Sequence, residues 1–212
     1  MYRVLKLVLC ILASLSYSYG FSQSQHLPKL KTGYLLFQNI DCGPLCDAIE
    51  AVTEGVEGHD FSHIGLVYMR NDSTYVLEAI GKDVHLTPLA LFAQRSSHPL
   101  VVAAVKKKYE TIASTAVIVA LQKCGTAYDD VFLYGNGKYY CSELIYDAFK
   151  EANNNKSFFQ LHPMTFKVPG KNEFFPAWIE YYKQLGMPIP EGELGINPGS
   201  ISRSNKLKII RQ

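Results

Sequence analysis

The 212-residue sequence lacks a long apolar run after its first twenty residues, and it lacks a strong excess of charge of either sign. Lys and Arg together number 21, and Asp and Glu together number 19, which gives a formal net charge of +2 at pH 7. A membrane-spanning helix needs ~20 consecutive apolar residues, and a nucleic-acid-binding domain carries a clustered basic surface. The sequence therefore predicts no transmembrane segment in the mature chain and no nucleic-acid partner.

The sequence also lacks the complete motifs of several common kinds of site. Gly135 to Lys138 has neither the spacing nor the following Ser or Thr of a phosphate-binding loop, and no serine nucleophile elbow is present. His59 and His63 are four residues apart, which suits a metal only on a helix, and their segment is predicted to be loop and strand. We therefore predict no metal site and no cofactor.

The first residues have the features of an export signal. Arg3 and Lys6 precede an apolar stretch from Leu7 to Leu15, and small residues follow. Because this stretch is shorter than a membrane span, we expect residues 1–20 to be a cleaved signal peptide. Residues 21–212 have a length typical of a single domain. The mature protein is then expected to be exported, either to the periplasm or to the extracellular space.

Four cysteines remain after that cleavage, namely Cys42, Cys46, Cys124 and Cys141. An even number in an oxidising compartment suggests pairing, but a nucleophilic cysteine has to stay free. Cys42 and Cys46 are close enough in sequence to be bridged, although their geometry would be unfavourable on a regular helix. The sequence leaves open whether these two form a disulfide, and it also leaves open the oligomeric state.

Short strands and helices mix along the mature chain without a βαβ rhythm, which indicates the α+β class. Two alternating runs, Ser62 to Met69 and Thr74 to Ile80, predict an antiparallel hairpin. The apolar spacing after Cys141 predicts a helix from Cys141 to about Asn153. The tail from Gly186 is rich in Pro and Gly, so we expect it to be irregular. Further strands and helices are predicted at Gly33–Gln38, Cys42–Thr53, Val84–Leu86, Pro88–Gln94, Leu100–Lys107, Tyr109–Cys124 and Glu173–Leu185.

Cys141 lies where an apolar helical repeat begins, so its thiol is predicted at a helix N-terminus. That end of a helix carries roughly +0.5 charge, which favours the nucleophilic thiolate over the thiol. The alternative is a structural role, because free cysteine is among the most buried residue types. A nucleophilic role requires a base, normally His, and a third polar group that orients the imidazole.

His63 and Glu78 lie on the two predicted hairpin strands and can supply these groups. If Arg70-Asn71 is the turn, His63 lies directly opposite Glu78; if Asn71-Asp72 is the turn, the pair is diagonal. Both registers keep the side chains on one face, with Cβ atoms about 4.5–8 Å apart, whereas a slip by one residue would separate them. A lone carboxylate in such an apolar run would be costly, so Glu78 is expected to have a partner.

Four segments in order along the chain resemble those of a known family. They are Phe61-Ser62-His63-Ile64-Gly65-Leu66-Val67, Val76-Leu77-Glu78-Ala79-Ile80, Gly125-Thr126-Ala127-Tyr128-Asp129 and Tyr139-Tyr140-Cys141-Ser142-Glu143-Leu144. Together they resemble the YiiX-like branch of the NlpC-type, papain-like cysteine hydrolases, over most of the mature chain. In that branch the domain is circularly permuted, so the base precedes the nucleophile, as His63 precedes Cys141.

The resemblance implies a permuted papain-like fold, with an antiparallel sheet or partial barrel packed against helices. It implies Cys141 as the nucleophile, His63 as general base and then acid, and Glu78 as the residue that orients the imidazole. The backbone N–H of Cys141 is the expected oxyanion donor. Tyr140 and Tyr128 are candidates for completing the oxyanion hole or for binding substrate.

Three functions are compatible with these residues. The first is an exported thiol amidase that cleaves an amide through an acyl-enzyme, with a small peptide or cell-wall fragment as substrate by family analogy. The second is a lipid-directed acyltransferase or esterase of the same fold, similar to lecithin retinol acyltransferase, in which Phe132, Leu133 and Tyr134 could line an apolar groove. The third is a non-catalytic module that holds a peptide or amine.

Overall fold

The computed structural model describes residues 27–211, and the predicted signal peptide lies outside this part of the chain. The strands are β1 (Leu35–Gln38), β2 (His63–Arg70), β3 (Ser73–Ile80), β4 (Asp83–Pro88), β5 (Val101–Val105), β6 (His162–Pro163), β7 (Leu194–Gly195) and β8 (Leu207–Ile209). The helices are α1 (Pro44–Glu50), α2 (Leu89–Gln94), α3 (Glu110–Gln122), α4 (Cys141–Ala152), α5 (Pro176–Leu185) and α6 (Pro198–Ser202). No helix within residues 27–211 is both long and apolar enough to cross a membrane.

Six strands form one antiparallel sheet in the order β4-β3-β2-β1-β5-β8, and β6 pairs with β7 in a separate ribbon. The predicted hairpin is β2 and β3, and Arg70 pairs with Ser73 around a two-residue turn. Both turn residues, Asn71 and Asp72, have positive φ, which their short polar side chains tolerate. Of the two registers that the sequence allowed, the structure has the one that places His63 diagonal to Glu78.

Helices cover both faces of this sheet, as expected for the α+β class. On one face, α3 and α4 pack against β2 and β3 around a large apolar cluster that includes Leu66, Leu77 and Phe149. On the other face, α2 covers a smaller cluster through Phe92, which packs with Val67 and Val76. The sheet is therefore buried between layers, and the start of β2 is held next to the helices that carry the candidate site.

A glycine in β2 allows α2 to approach the sheet closely. A Cβ atom added at Gly65 would lie 2.2 Å from a methyl group of Val76 and 3.1 Å from the ring of Phe92. Any larger residue at this position would push apart the hairpin and the helix that covers it. Gly65 therefore helps to hold α2, together with Arg95 at the end of that helix, against the hairpin.

The tail after Gly186 was predicted to be irregular, and that prediction is wrong. It forms β7, then α6, then β8, which pairs with β5 at the edge of the main sheet. The side chain of Asn197 accepts from Ser200 N–H, and the Ser200 hydroxyl pairs with the Asn197 backbone, which forms a capping box for α6. The tail is ordered by pairing with a strand about a hundred residues away, which composition alone does not reveal.

Candidate active site

The thiol of Cys141 lies at the first residue of α4, as its position in the sequence predicted. Leu144, Ile145, Ala148 and Phe149 bury the same helix in the core and so fix its direction. Cys141 is a free cysteine, 6% exposed. The first N–H groups of a helix have no partner within it, so the backbone at Cys141 can donate hydrogen bonds to an oxygen beside the thiol.

His63 and Glu78 meet as a buried pair where the hairpin approaches α4. His63 Nε2 and Glu78 Oε2 are 2.6 Å apart, and the two residues are 4% and 0% exposed. Because Nε2 is taken by the carboxylate, Nδ1 is the ring nitrogen left to interact with Cys141. The sequence placed these two side chains on one face, and the structure brings them into contact.

Arg95 is a further member of the cluster that sequence reasoning missed. Its Nη2 donates to both carboxylate oxygens of Glu78, at 2.6 and 2.8 Å. Arg95 follows the last residue of α2, so this contact depends on how α2 packs against the hairpin. The only signal in the sequence was the expectation that a buried Glu78 needs a partner, and two cationic side chains in fact share that role.

The charges of these side chains favour an ionised pair. Burial lowers the pKa of His63, but a Cys141 thiolate and its hydrogen bond to the ring, together with Glu78, raise that pKa from 6.5 to about 9. Burial raises the pKa of Glu78, but the hydrogen bond and charge of His63, with Arg95, lower it to about 2. At neutral pH the ring is therefore an imidazolium beside the Glu78 carboxylate, and it can donate a proton.

Tyr140 and Tyr128, the two tyrosines singled out from the sequence, both lie beside the thiol and line the same cavity. The Tyr140 hydroxyl accepts a hydrogen bond from Ile196 N–H at 3.1 Å, so its own hydrogen is left to donate. Burial, and then the negative charges nearby, including that of a Cys141 thiolate, raise the pKa of both phenols. Both therefore remain protonated donors at neutral pH.

A cavity of about 110 Å³ opens at Cys141. Most of its wall is apolar, and none of its lining residues is Asp, Glu, Lys or Arg. The lining residues are Ile49, Val52, Thr53, Ser62, Tyr128, Phe132, Tyr140, Cys141, Ser142, His162, Pro163, Met164, Thr165, Phe166, Trp178, Ile196, Asn197 and Pro198. A ligand in this cavity would meet the thiol through an uncharged and largely apolar surface.

Of the three residues proposed from sequence to line a groove, Phe132 alone lines this cavity. For Leu133 and Tyr134 that prediction is wrong. The Tyr134 hydroxyl bonds to Asp147 on α4 at 3.0 Å, and Leu133 is tied through its N–H to Asp129. The loop turns at Phe132, so neighbouring side chains do not point in the same direction.

A second polar pair, His162 and Asn197, lies in the cavity wall and was also missed. The Asn197 side-chain nitrogen lies 3.3 Å from His162 Nε2, and its oxygen accepts from Ser200 N–H. Burial lowers the pKa of His162, so this ring is neutral at pH 7. One hydrogen of the Asn197 amide is left to meet a ligand, because the other faces His162.

The acidic residues Glu143 and Asp129 hold the loop before α4 in place. Glu143 accepts from Gly135 N–H at 2.8 Å, and its second oxygen is buried without a hydrogen-bond partner among the described residues. Burial, with Asp129 and Asp147 nearby, raises the pKa of Glu143 to about 8. This carboxyl is therefore largely protonated at neutral pH, and it ties the loop to the first turn of the helix that carries Cys141.

Comparison with known proteins matches residues 29–211 to the family described as permuted papain-like amidase enzymes of the YaeF/YiiX type. The chain is 30% identical over 128 residues to an uncharacterised Escherichia coli (strain K12) protein, YiiX, and this match spans 58% of each protein. Its fold resembles a crystal structure of the metalloprotein yiiX from Escherichia coli O157:H7, with a TM-score of 0.69 and 22% identity. That resemblance covers 86% of this chain and 97% of the other.

The side chains at the candidate site that could bind a metal are already engaged with one another. Within residues 27–211 no group of three or more His, Cys, Asp or Glu side chains is placed to bind a metal ion. At the candidate site, His63 is already bonded to Glu78 and Glu78 to Arg95. The described residues therefore do not fit a metal centre.

Proposed function

The chain belongs to the permuted papain-like amidase family of YaeF and YiiX, and on that basis we propose that it is a cysteine hydrolase that cleaves an amide bond through a thioester on Cys141. The observation that supports this most directly is the row of charged side chains that ends at the thiol. His63 interacts with Cys141, Glu78 orients His63 at 2.6 Å, and Arg95 holds Glu78. A thiolate, an imidazolium and an orienting acid are the groups that thiol catalysis requires.

In the proposed reaction the Cys141 thiolate attacks the amide carbonyl and forms a tetrahedral oxyanion. The Cys141 backbone N–H, with a Tyr128 or Tyr140 hydroxyl, stabilises that oxyanion. His63 then donates its Nδ1 proton to the leaving amine as the carbon–nitrogen bond breaks, which leaves a thioester. Neutral His63 next takes a proton from water, and the resulting hydroxide attacks the thioester. The carbon–sulfur bond breaks, the carboxylic acid is released, and the thiolate–imidazolium pair forms again.

The acyl part of the substrate is proposed to be uncharged and largely apolar. The cavity at the thiol has an apolar wall and no Lys or Arg to pair with a carboxylate, and an unpaired charge in such a site is costly. Cell-wall peptides carry carboxylates near their scissile amides, so this lining favours a simple N-acyl amide over them. The acyl group would lie against residues such as Trp178, Phe166 and Ile49.

We also propose that the protein is exported. Cys42 and Cys46, whose pairing the sequence left open, form a disulfide with a Cα–Cα distance of 5.3 Å. Cys42 lies outside α1, so the bridge does not have to fit a regular helix. Disulfides of this kind persist in oxidising compartments, which supports the periplasmic or extracellular location expected from residues 1–20.

The test is to incubate the protein with fluorogenic N-acyl aminomethylcoumarin amides from acetyl to dodecanoyl, and with muropeptides. We expect release of the coumarin from the short-chain apolar amides and a transient acyl adduct on Cys141 by mass spectrometry. C141A should abolish both, whereas C124S, which alters the exposed free cysteine, should retain both. Turnover that survives in C141A, or adducts from muropeptides alone, would contradict the proposal.

The lipid-directed acyl transfer considered from the sequence uses the same thioester and differs only in its acceptor. The apolar lining of the cavity favours it as a second candidate, because a short acyl group taken from an ester would meet the same uncharged wall. Adding a long-chain alcohol or amine to the assay separates the two reactions. A transferase would form the acylated acceptor in place of the free acid, whereas a hydrolase would release the acid at an unchanged rate.

A further inference from the structure

Phe132 has a backbone conformation that bulky residues rarely adopt. Its φ is +52°, in the left-handed region, where Cβ crowds the carbonyl oxygen. Within residues 27–211 the other non-glycine residues with positive φ are four Asn or Asp residues and Glu57. Such strain persists only where the surrounding structure enforces it, and it is concentrated at functional sites.

The buried carboxylate of Asp129 enforces this conformation from one side. Asp129 Oδ1 accepts from Val131 N–H at 3.0 Å, and Oδ2 accepts from Leu133 N–H at 2.8 Å. These two N–H groups flank Phe132 on either side. The residue is thereby held in a tight turn around a side chain that is itself 0% exposed.

Two hydroxyl groups on α5 fix the same turn from the other side. Tyr181 donates to the carbonyl of Asp130 at 2.8 Å, and Tyr182 donates to the carbonyl of Val131 at 2.9 Å. Four hydrogen bonds therefore restrain the residues around Phe132. A turn restrained in this way has little freedom to move the ring that it carries.

The ring of Phe132 lines the cavity that opens at Cys141. Its centroid is 5.7 Å from that of Tyr140, which precedes the nucleophile, and 5.6 Å from that of Trp178. It also contacts Tyr128 and Tyr181, each at 6.3 Å. The strained turn thus places a large rigid group in the wall of the candidate substrate cavity.

We propose that Phe132 is the specificity-determining residue of this cavity, and that its ring limits the length of the acyl group that can lie beside Cys141. This inference rests on the proposed amidase function. A cavity of about 110 Å³ is smaller than one of ~150 Å³ that encloses benzene. The wild-type protein is therefore expected to accept acyl groups of about four carbons and to exclude those as long as octanoyl.

Phe132→Gly tests this role, because glycine adopts positive φ without strain and so should preserve the turn. Two measurements are made on each variant: turnover of butanoyl and octanoyl aminomethylcoumarin amides, and the rate at which N-butyl and N-octyl iodoacetamide alkylate Cys141. Each methylene that gains a buried site is worth roughly fourfold in rate. We expect the octyl-to-butyl ratio to rise at least tenfold in both measurements.

Leu133→Ala is the matched control, because Leu133 belongs to the same turn but does not line the cavity. Its two ratios should equal those of the wild type. Asparagine also tolerates the left-handed conformation. Phe132→Asn is therefore measured instead if circular dichroism shows that the glycine variant is unfolded. Ratios in the folded Phe132 variant that match the Leu133 control would refute the role of Phe132.

The alkylation measurement separates this inference from the function on which it rests. One outcome is that the wild type cleaves no amide while Cys141 of the Phe132 variant is alkylated with a chain-length preference that differs from that of the wild type. In that case the amidase proposal fails and the role of Phe132 in limiting the cavity stands. If the wild type cleaves amides and neither ratio changes in the variant, the amidase proposal stands and the role of Phe132 is overturned.

Discussion

Replacing Glu78 with Gln removes one charge from the buried site while keeping the shape of the side chain. The His63 and Glu78 atoms in contact are 2.6 Å apart, and the side chains are 5% and 0% exposed. At an effective dielectric constant of ~20, opposite unit charges at that distance attract by about 6 kcal/mol. Burial of the ring opposes this attraction, and the Cys141 thiolate adds to it.

The balance of these effects is a His63 pKa of about 9, against an ordinary value of 6.5. That difference corresponds to roughly 3 kcal/mol in favour of the imidazolium. Because Glu78 supplies part of it, we expect the Glu78→Gln variant to have a His63 pKa of about 8 or below. We expect kcat to fall by up to roughly 10⁴-fold, the scale for neutralising the orienting acid of a triad.

An NMR titration of isotope-labelled histidine rings measures the first effect without requiring a substrate. Thermal unfolding across the pH range gives a second readout. The raised pKa of His63 stabilises the fold fully below pH 6.5, and this contribution is lost as the pH rises through about 9. The lowered pKa of Glu78 stabilises the fold above pH 4.5, and this contribution is lost as the pH falls through about 2.

The stability difference between wild type and variant should therefore be largest between pH 4.5 and 6.5, and it should become smaller as the pH rises to about 9. Glu180→Gln is the control, because it neutralises an exposed carboxylate on α5 whose partners, Lys183 and Gln184, lie on the same helix and away from the site. A His63 pKa that stays at about 9 in the Glu78 variant would refute the reasoning, as would a stability difference that does not change with pH.

Three other substitutions probe the surroundings of the site. Arg95→Leu removes two bonds to Glu78, so steady-state kinetics should show kcat falling roughly tenfold to hundredfold with KM little changed; an effect on KM alone would contradict this positioning role. Cys42→Ser opens the bridge to Cys46 and should cost about 2 kcal/mol in urea unfolding, the value for so short a loop; an unchanged midpoint would count against it. Burial raises the pKa of the native Glu143 carboxyl to about 8, so between pH 4.5 and about 8 the wild type must take up a proton to fold and loses stability as the pH rises. The Glu143→Gln variant needs no proton, so its stability relative to wild type should increase over that pH range. Thermal unfolding at several pH values measures this gain, and a constant difference would argue against it.

The part of the site that sequence reasoning brought together depends on local periodicity. The alternation of side chains along two strands placed His63 and Glu78 on one face, and the structure brings them to 2.6 Å. The start of an apolar helical repeat placed Cys141 at the N-terminus of α4, where the structure has it. These features follow from spacings within a dozen or so residues, which the chain carries in itself.

Other features depend on how distant segments pack, and the sequence did not determine them. The contact of Arg95 with Glu78 depends on where α2 packs against the hairpin. The tail, predicted to be irregular, supplies an edge strand because β5 offers it hydrogen bonds.

By itself, then, the sequence determined which side chains could act together: a thiol at the start of a helix, and an imidazole and a carboxylate on the same face of two paired strands. It did so because secondary structure repeats with fixed periods that the spacing of residues records. Tertiary structure alone decided what surrounds the thiol: the apolar cavity, the strained turn at Phe132 and the arginine behind Glu78. These arise from contacts between residues far apart in the chain, whose meeting depends on the packing of the whole core.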